Sequence, residues 1–93
     1  MVLVESPLLI ARRARSGGGA GGRRIIVEAA GDGYVVRVEG SAAREDRVAG
    51  ALQAVQAFNH ALRDAARAGL TARPEPVELT VAALDAARRA RTL

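Results

Sequence analysis

The stretch that decides the fold is 24–39, Arg-Ile-Ile-Val-Glu-Ala-Ala-Gly-Asp-Gly-Tyr-Val-Val-Arg-Val-Glu. Ile25, Val27 and Ala29 alternate with Ile26 and Glu28. Beyond Gly31-Asp32-Gly33, Tyr34, Val36 and Val38 alternate with Val35, Arg37 and Glu39. A period of two marks strands with one face turned to a core. Asp-Gly between two such runs is a strong short-range hairpin signal. With Asp32-Gly33 as the two loop residues, Val27 faces Val38, Ala29 faces Val36 and Glu28 faces Arg37, a favourable cross-strand pair. With Gly31-Asp32 in the loop the faces stay the same but the direct Glu28–Arg37 pairing is lost, so the first register is preferred.

On the C-terminal side, Gly40-Ser41 ends the hairpin and the period changes. A long helix is predicted over about 43–68, with Ser41 as N-cap, Glu45 and Asp46 near its positive end, and Gly69 closing it. Val48, Ala51, Leu52, Val55, Phe58, Leu62 and Ala66 share one helical face; Gln53, Gln56, His60, Arg63, Asp64 and Arg67 share the opposite one. Gly50, Ala54, Ala57 and Ala61 form a ridge of small residues beside the apolar stripe. Abundant Ala explains such a ridge through helix propensity alone. It also permits close approach of a second helix, from this chain's C-terminus or from a partner, which makes these four the candidate oligomer interface. Past the punctuated Arg73-Pro74-Glu75-Pro76, a strand is predicted at 76–80 and a helix at 81–91, with Thr80 as its cap.

On the N-terminal side, Leu8-Leu9-Ile10-Ala11 reads as a strand. The glycine-rich run 16–22 reads as a flexible loop, and residues 1–7 and 90–93 as loose ends. The expectation is an α+β domain: a three- to four-stranded, mostly antiparallel sheet, one face covered by the long helix, then a short strand and a C-terminal helix. The predicted core is Ile25, Val27, Val36, Val38, Val48, Leu52, Val55, Phe58, Leu62, Leu79 and Val81.

Length and composition limit what such a domain does. Ninety-three residues hold one core. The absence of Cys removes disulfides, thiolate nucleophiles and Cys-based metal sites. All fourteen basic residues are Arg, which with the Ala content points to a GC-rich, bacterial coding sequence. The net charge of +4 is uneven: residues 1–24 carry five Arg and one acid (+4), 25–85 six Arg and nine acids (−3), 86–93 three Arg (+3). Basicity therefore belongs to the ends of the chain, not to its body. There is no run of 18 apolar residues and no basic region ahead of an apolar one, so a cytoplasmic location is expected.

Chemistry-bearing patterns are few. The glycine run formally matches G-x-G-x-x-G, but Arg23-Arg24 and a strand follow where the dinucleotide fingerprint needs a helix. His60, the sole histidine, has Asp64 one turn later on a solvated face, without a nucleophile or pocket; one His and no Cys cannot build a zinc site. No catalytic residue, metal ligand or cofactor is assigned, and the chain is not expected to be an enzyme. Arg12, Arg13, Arg15, Arg23 and Arg24 flank the glycine run, and Arg88, Arg89 and Arg91 end the last helix; these eight are the candidate phosphate-binding residues. Base stacking is disfavoured, since Tyr34 and Phe58 are the only aromatics and Phe58 is in the predicted core.

Gly31-Asp32-Gly33-Tyr34-Val35-Val36-Arg37-Val38, followed by an Ala-rich helix, resembles the small HicB-like antitoxins. That resemblance implies a β-meander ahead of a helix, a toxin partner and DNA binding. The family's Pro-Asp-Leu-Pro-Gly segment is absent; Glu39-Gly40-Ser41 stands there. The sequence thus supports a non-enzymatic protein–protein interaction module, self-associating as a homodimer or a subunit of a larger assembly. Ile26 and Val35, on the sheet face away from the long helix, and the Ala ridge are expected to supply its apolar surface. The alternative is a nucleic-acid-binding accessory or antitoxin-like protein that uses its Arg-rich ends.

Overall fold

A computed structural model of the chain describes residues 1–11 and 22–91. The glycine run 16–21 and Arg12, Arg13 and Arg15 lie outside the described residues. The main sheet has four antiparallel strands in the order β1 (Val2–Glu5), β3 (Arg23–Ala30), β4 (Gly33–Gly40), β5 (Arg44–Val48). A second, two-stranded sheet pairs β2 (Ile10–Ala11) with β6 (Leu70–Thr71). Helix α1 (Ala51–Arg67) lies on β3 and β4, and α2 (Val81–Arg91) packs against α1 and β1. This is the α+β fold predicted.

The hairpin register is the one not preferred. Ala30 pairs with Gly33, so Gly31-Asp32 is the loop; Val27 faces Val36 and Glu28 faces Val35. The reason lies in the turn. Gly31 has φ +59° and Asp32 does not enter that region, the sign pattern of a type II′ turn, which wants glycine first. Gly33 is needed as a strand residue instead: a Cβ there would stand 2.6 Å from the Val48 carbonyl oxygen. The Glu28–Arg37 ion pair survives as a diagonal contact at 2.6 Å.

The long helix begins later than predicted. Residues 44–48 form β5, with Tyr34 opposite Val48, Val36 opposite Asp46 and Val38 opposite Arg44. Gly50, not Ser41, is the N-cap, and the Gln53 side-chain oxygen accepts from the Ala49 and Gly50 N–H groups, both at 3.2 Å. Ser41 instead accepts from Arg23 Nε at 3.0 Å. Glu45 and Asp46 were therefore strand charges, not helix-end charges. With α1 starting at Ala51, Leu52 projects from its first turn on the exposed flank of Gln56, and it is 59% exposed rather than core.

No ladder forms at 76–80. Asn59 of α1 takes the place of a neighbouring strand: its Nδ2 donates to the Leu79 carbonyl at 2.9 Å and its Oδ1 accepts from the Leu79 N–H at 2.7 Å. One amide side chain thereby satisfies both backbone groups of Leu79. Thr80 caps α2 as predicted, its Oγ1 accepting from the Ala83 N–H at 3.1 Å. At the other end, residues 2–5, read as part of a loose end, form β1 and bury Leu3. Ile25, Val27, Val36, Val38, Val55, Phe58 and Leu62 are core as predicted. Leu9, Tyr34, Leu70 and Leu84 join them, and Val48, Leu79 and Val81 are half-buried at its margin.

The Asn59 clasp gives a direct test. Asn59→Ala leaves two backbone groups without their partner and should cost about 1–3 kcal/mol, read as a lower midpoint in thermal unfolding followed by circular dichroism. Asn59→Asp keeps the acceptor but sets a carboxylate oxygen against the Leu79 carbonyl. Its penalty should shrink as the pH falls into the carboxyl range, because the proton restores the donor. A pH-independent penalty would show that the clasp contributes only through packing.

Candidate interaction surfaces

The sheet face away from α1 is built from Glu5, Arg24, Ile26, Glu28, Val35, Arg37, Glu39, Glu45 and Arg47, as strand alternation and register require. It is not the apolar surface expected. Ile26 and Val35 are only 5% and 6% exposed. Arg37 stands directly opposite Ile26, and Arg47 opposite Val35. Long Arg stems cover apolar neighbours while their heads stay in water. The heads are tied into a lattice: Arg37 reaches Glu28 at 2.6 Å and Glu39 at 3.5 Å, and Arg24 reaches Glu5 at 3.2 Å. Each such pair is worth little singly; together they close this face with charge.

The small-residue ridge divides. Ala54 and Ala61 belong to the chain's own core, at 0% and 5% exposure, while Ala57 is half-buried and Gly50 caps α1. The opposite flank of α1 holds Asn59 and Arg63, which grip the 78–79 segment leading into α2 on the β1 side of the sheet. The ridge consequently faces the β5 side, and α2 does not cover it.

The arginines predicted to bind phosphate are largely engaged. Arg23 bonds Ser41, and Arg24 pairs with Glu5. Arg88 is structural: its guanidinium donates to the carbonyls of Gly33 (3.2 Å) and Gly31 (2.7 Å) and lies over the Tyr34 ring, 4.8 Å from the centroid. Arg91 is exposed at the end of α2, and Arg89 also has an interaction of its own. Arg23 and Arg24, adjacent on a strand, point to opposite faces, so the described Arg residues do not converge. His60 is exposed, and Asp64 sits 3.8 Å from Arg67, one turn on. Among the described residues no group of three His, Cys, Asp or Glu is placed to hold a metal ion, and no helix is long and apolar enough to cross a membrane.

Two other features of the surface are more open. The first is an apolar groove of about 750 Å³ lined by Pro7, Leu8, Ile10, Ala11, Thr71, Ala72, Arg73 and Glu75. Leu9 turns into the core, so alternation turns Leu8 and Ile10 outward, where they are 49% and 52% exposed. The second is the outer edge of the main sheet. β5 has one neighbour, β4, and Arg44 to Arg47 are all exposed. The other edge strand, β1, also has one neighbour, β3, and packs against α2. The sequence of β5, four charged residues ahead of Val48, carries no apolar alternation, and its acids fit a helix N-terminus.

No protein-family model, no curated protein and no solved structure matches the chain. The β3–β4–β5 meander followed by α1 has the element order that the antitoxin resemblance implies, which is a likeness of architecture alone.

Arg88→Ala should lower stability by roughly 1–3 kcal/mol through loss of two carbonyl bonds and the ring contact. Arg91→Ala, exposed at the same helix end, should stay within about 0.5 kcal/mol of the parent. Chemical denaturation of the two variants separates these roles; equal midpoints would remove the structural role given to Arg88.

Proposed function

We propose that the protein is a non-enzymatic interaction module that self-associates, as a homodimer or as a subunit of a larger assembly. The observation that carries this reading is the unpaired outer edge of β5. A strand with one neighbour presents a row of backbone N–H and C=O groups to solvent, and another strand is their natural partner. Charged side chains commonly protect such an edge. Here the edge residues Arg44-Glu45-Asp46-Arg47 carry two charges of each sign and no net charge. Such an edge has no net repulsion for an incoming strand; the order of its charges favours a strand whose charges are complementary in register.

The groove at Leu8 and Ile10 supports the larger assembly. Exposed apolar side chains grouped at a groove mark protein contacts more often than scattered ones do. The rim carries Arg73 and Glu75, one charge of each sign, which suits a polypeptide better than a polyanion.

Sedimentation velocity over a concentration series tests the reading. The expected result is a mass that rises from 9.7 kDa toward about double that value as weak association fills in. A single species at the monomer mass throughout would overturn it.

A further inference from the structure

We propose, resting on the self-association reading, that the partner at the β5 edge is a second copy of this chain, paired antiparallel about a two-fold axis through Asp46. In an antiparallel pair, directly opposed residues share a sheet face, and like charges placed opposite one another are destabilising. An axis midway between Glu45 and Asp46 sets Arg44 against Arg47 and Glu45 against Asp46, so every opposed pair repels; that register is excluded. It would also put the two α1 helices on opposite faces of the joined sheet. An axis through Glu45 or through Asp46 keeps both helices on one face.

The ion pairs within the chain decide between those two. Arg44 and Asp46 already pair with each other at 3.7 Å. Glu45 and Arg47 have no ion-pair partner among the described residues of their own chain. An axis through Glu45 opposes Arg44 to Asp46, groups already satisfied, and sets Glu45 against Glu45. An axis through Asp46 opposes Glu45 to the second copy's Arg47, and Arg47 to its Glu45. The charges left without partners become partners of each other, twice. Asp46 then faces its symmetry mate, but each carries its own Arg44, and Arg44 of one copy faces Val48 of the other.

The register of the main sheet extends this pattern. Arg37 lies opposite Glu45 across β4 and β5. With the axis at Asp46, the row Arg37, Glu45, second-copy Arg47 alternates in sign across the joint. The row of opposed charges on that face would continue from one sheet into the next, making eight strands. On the other face, α1 contacts β5 as well as β3 and β4, and Ala57 on its ridge side is half-buried.

The test uses two charge-reversal variants of the full chain, Arg47→Glu and Glu45→Arg, studied apart and mixed. Apart, each sets like charges opposite at both symmetric positions, and self-association should weaken about tenfold or more. Mixed, each variant offers the other its complement, so a heterodimer should form at the parent's affinity. Sedimentation velocity from about 1 μM to about 1 mM covers weak association, and circular dichroism confirms that both variants fold. Recovery on mixing supports the axis at Asp46. A parent that dimerises while Arg47→Glu still dimerises as the parent does overturns the axis and leaves self-association standing. A parent that stays monomeric overturns both.

Discussion

The type II′ turn at Gly31-Asp32 sets the pairing of β3 with β4, and the rest of the molecule inherits that choice. Because strand side chains alternate, a slip of one residue in one strand would exchange its faces. Ile25 and Val27, now wholly buried, would move into the charged lattice, and Glu28 would enter the core. Two contacts far along the chain reinforce the turn. Arg88 holds the carbonyls on either side of Asp32, and Val48 of β5 lies so close to Gly33 that only glycine fits there. The turn is thus tied to the last helix and to the outermost strand at once.

How far the fold can be read from sequence depends on whether a segment's pattern has one physical explanation or two. The alternation of 25–29 and 34–38 has one, and the hairpin, its faces and the four core residues Ile25, Val27, Val36 and Val38 followed. Arg44-Glu45-Asp46-Arg47 has two: acids near a helix start, or the two faces of a charged strand. What separates them is Val48 meeting Tyr34, a long-range contact that local pattern does not contain. The 76–80 segment does have extended, alternating character, but its partner is a side chain. Asn59 sits among Val55, Phe58 and Leu62 in the apolar part of α1, and a polar amide in that position signals a buried backbone to be satisfied.

The candidate site was less legible still. Small residues and Arg clusters drew attention because both types have known uses, yet Ala54 and Ala61 serve the core and Arg88 serves the turn. The open surfaces come instead from topology. Leu8 and Ile10 are exposed because Leu9 between them is required inside, and β5 is an edge because nothing follows it in the sheet. Composition cannot report either fact.

Helix spacing explains why β5 carries charge even on its helix side. Four strands about 4.8 Å apart span roughly 14 Å between the outer strand axes. Two packed helices lie about 8–10 Å apart. With α2 over β1, α1 falls close to two strand spacings away, above β3 and β4, which is where it makes its contacts. β5 is left at the margin of the helix layer. Only Val48, at its inner end, is drawn against the core, and the other four residues are free to be charged. A third helix would be needed to roof this strand from within the described part of the chain. No strand lies beyond β5, so the backbone groups along its outer side are satisfied by water or by another strand, and the side chains beside them decide which strands are admitted.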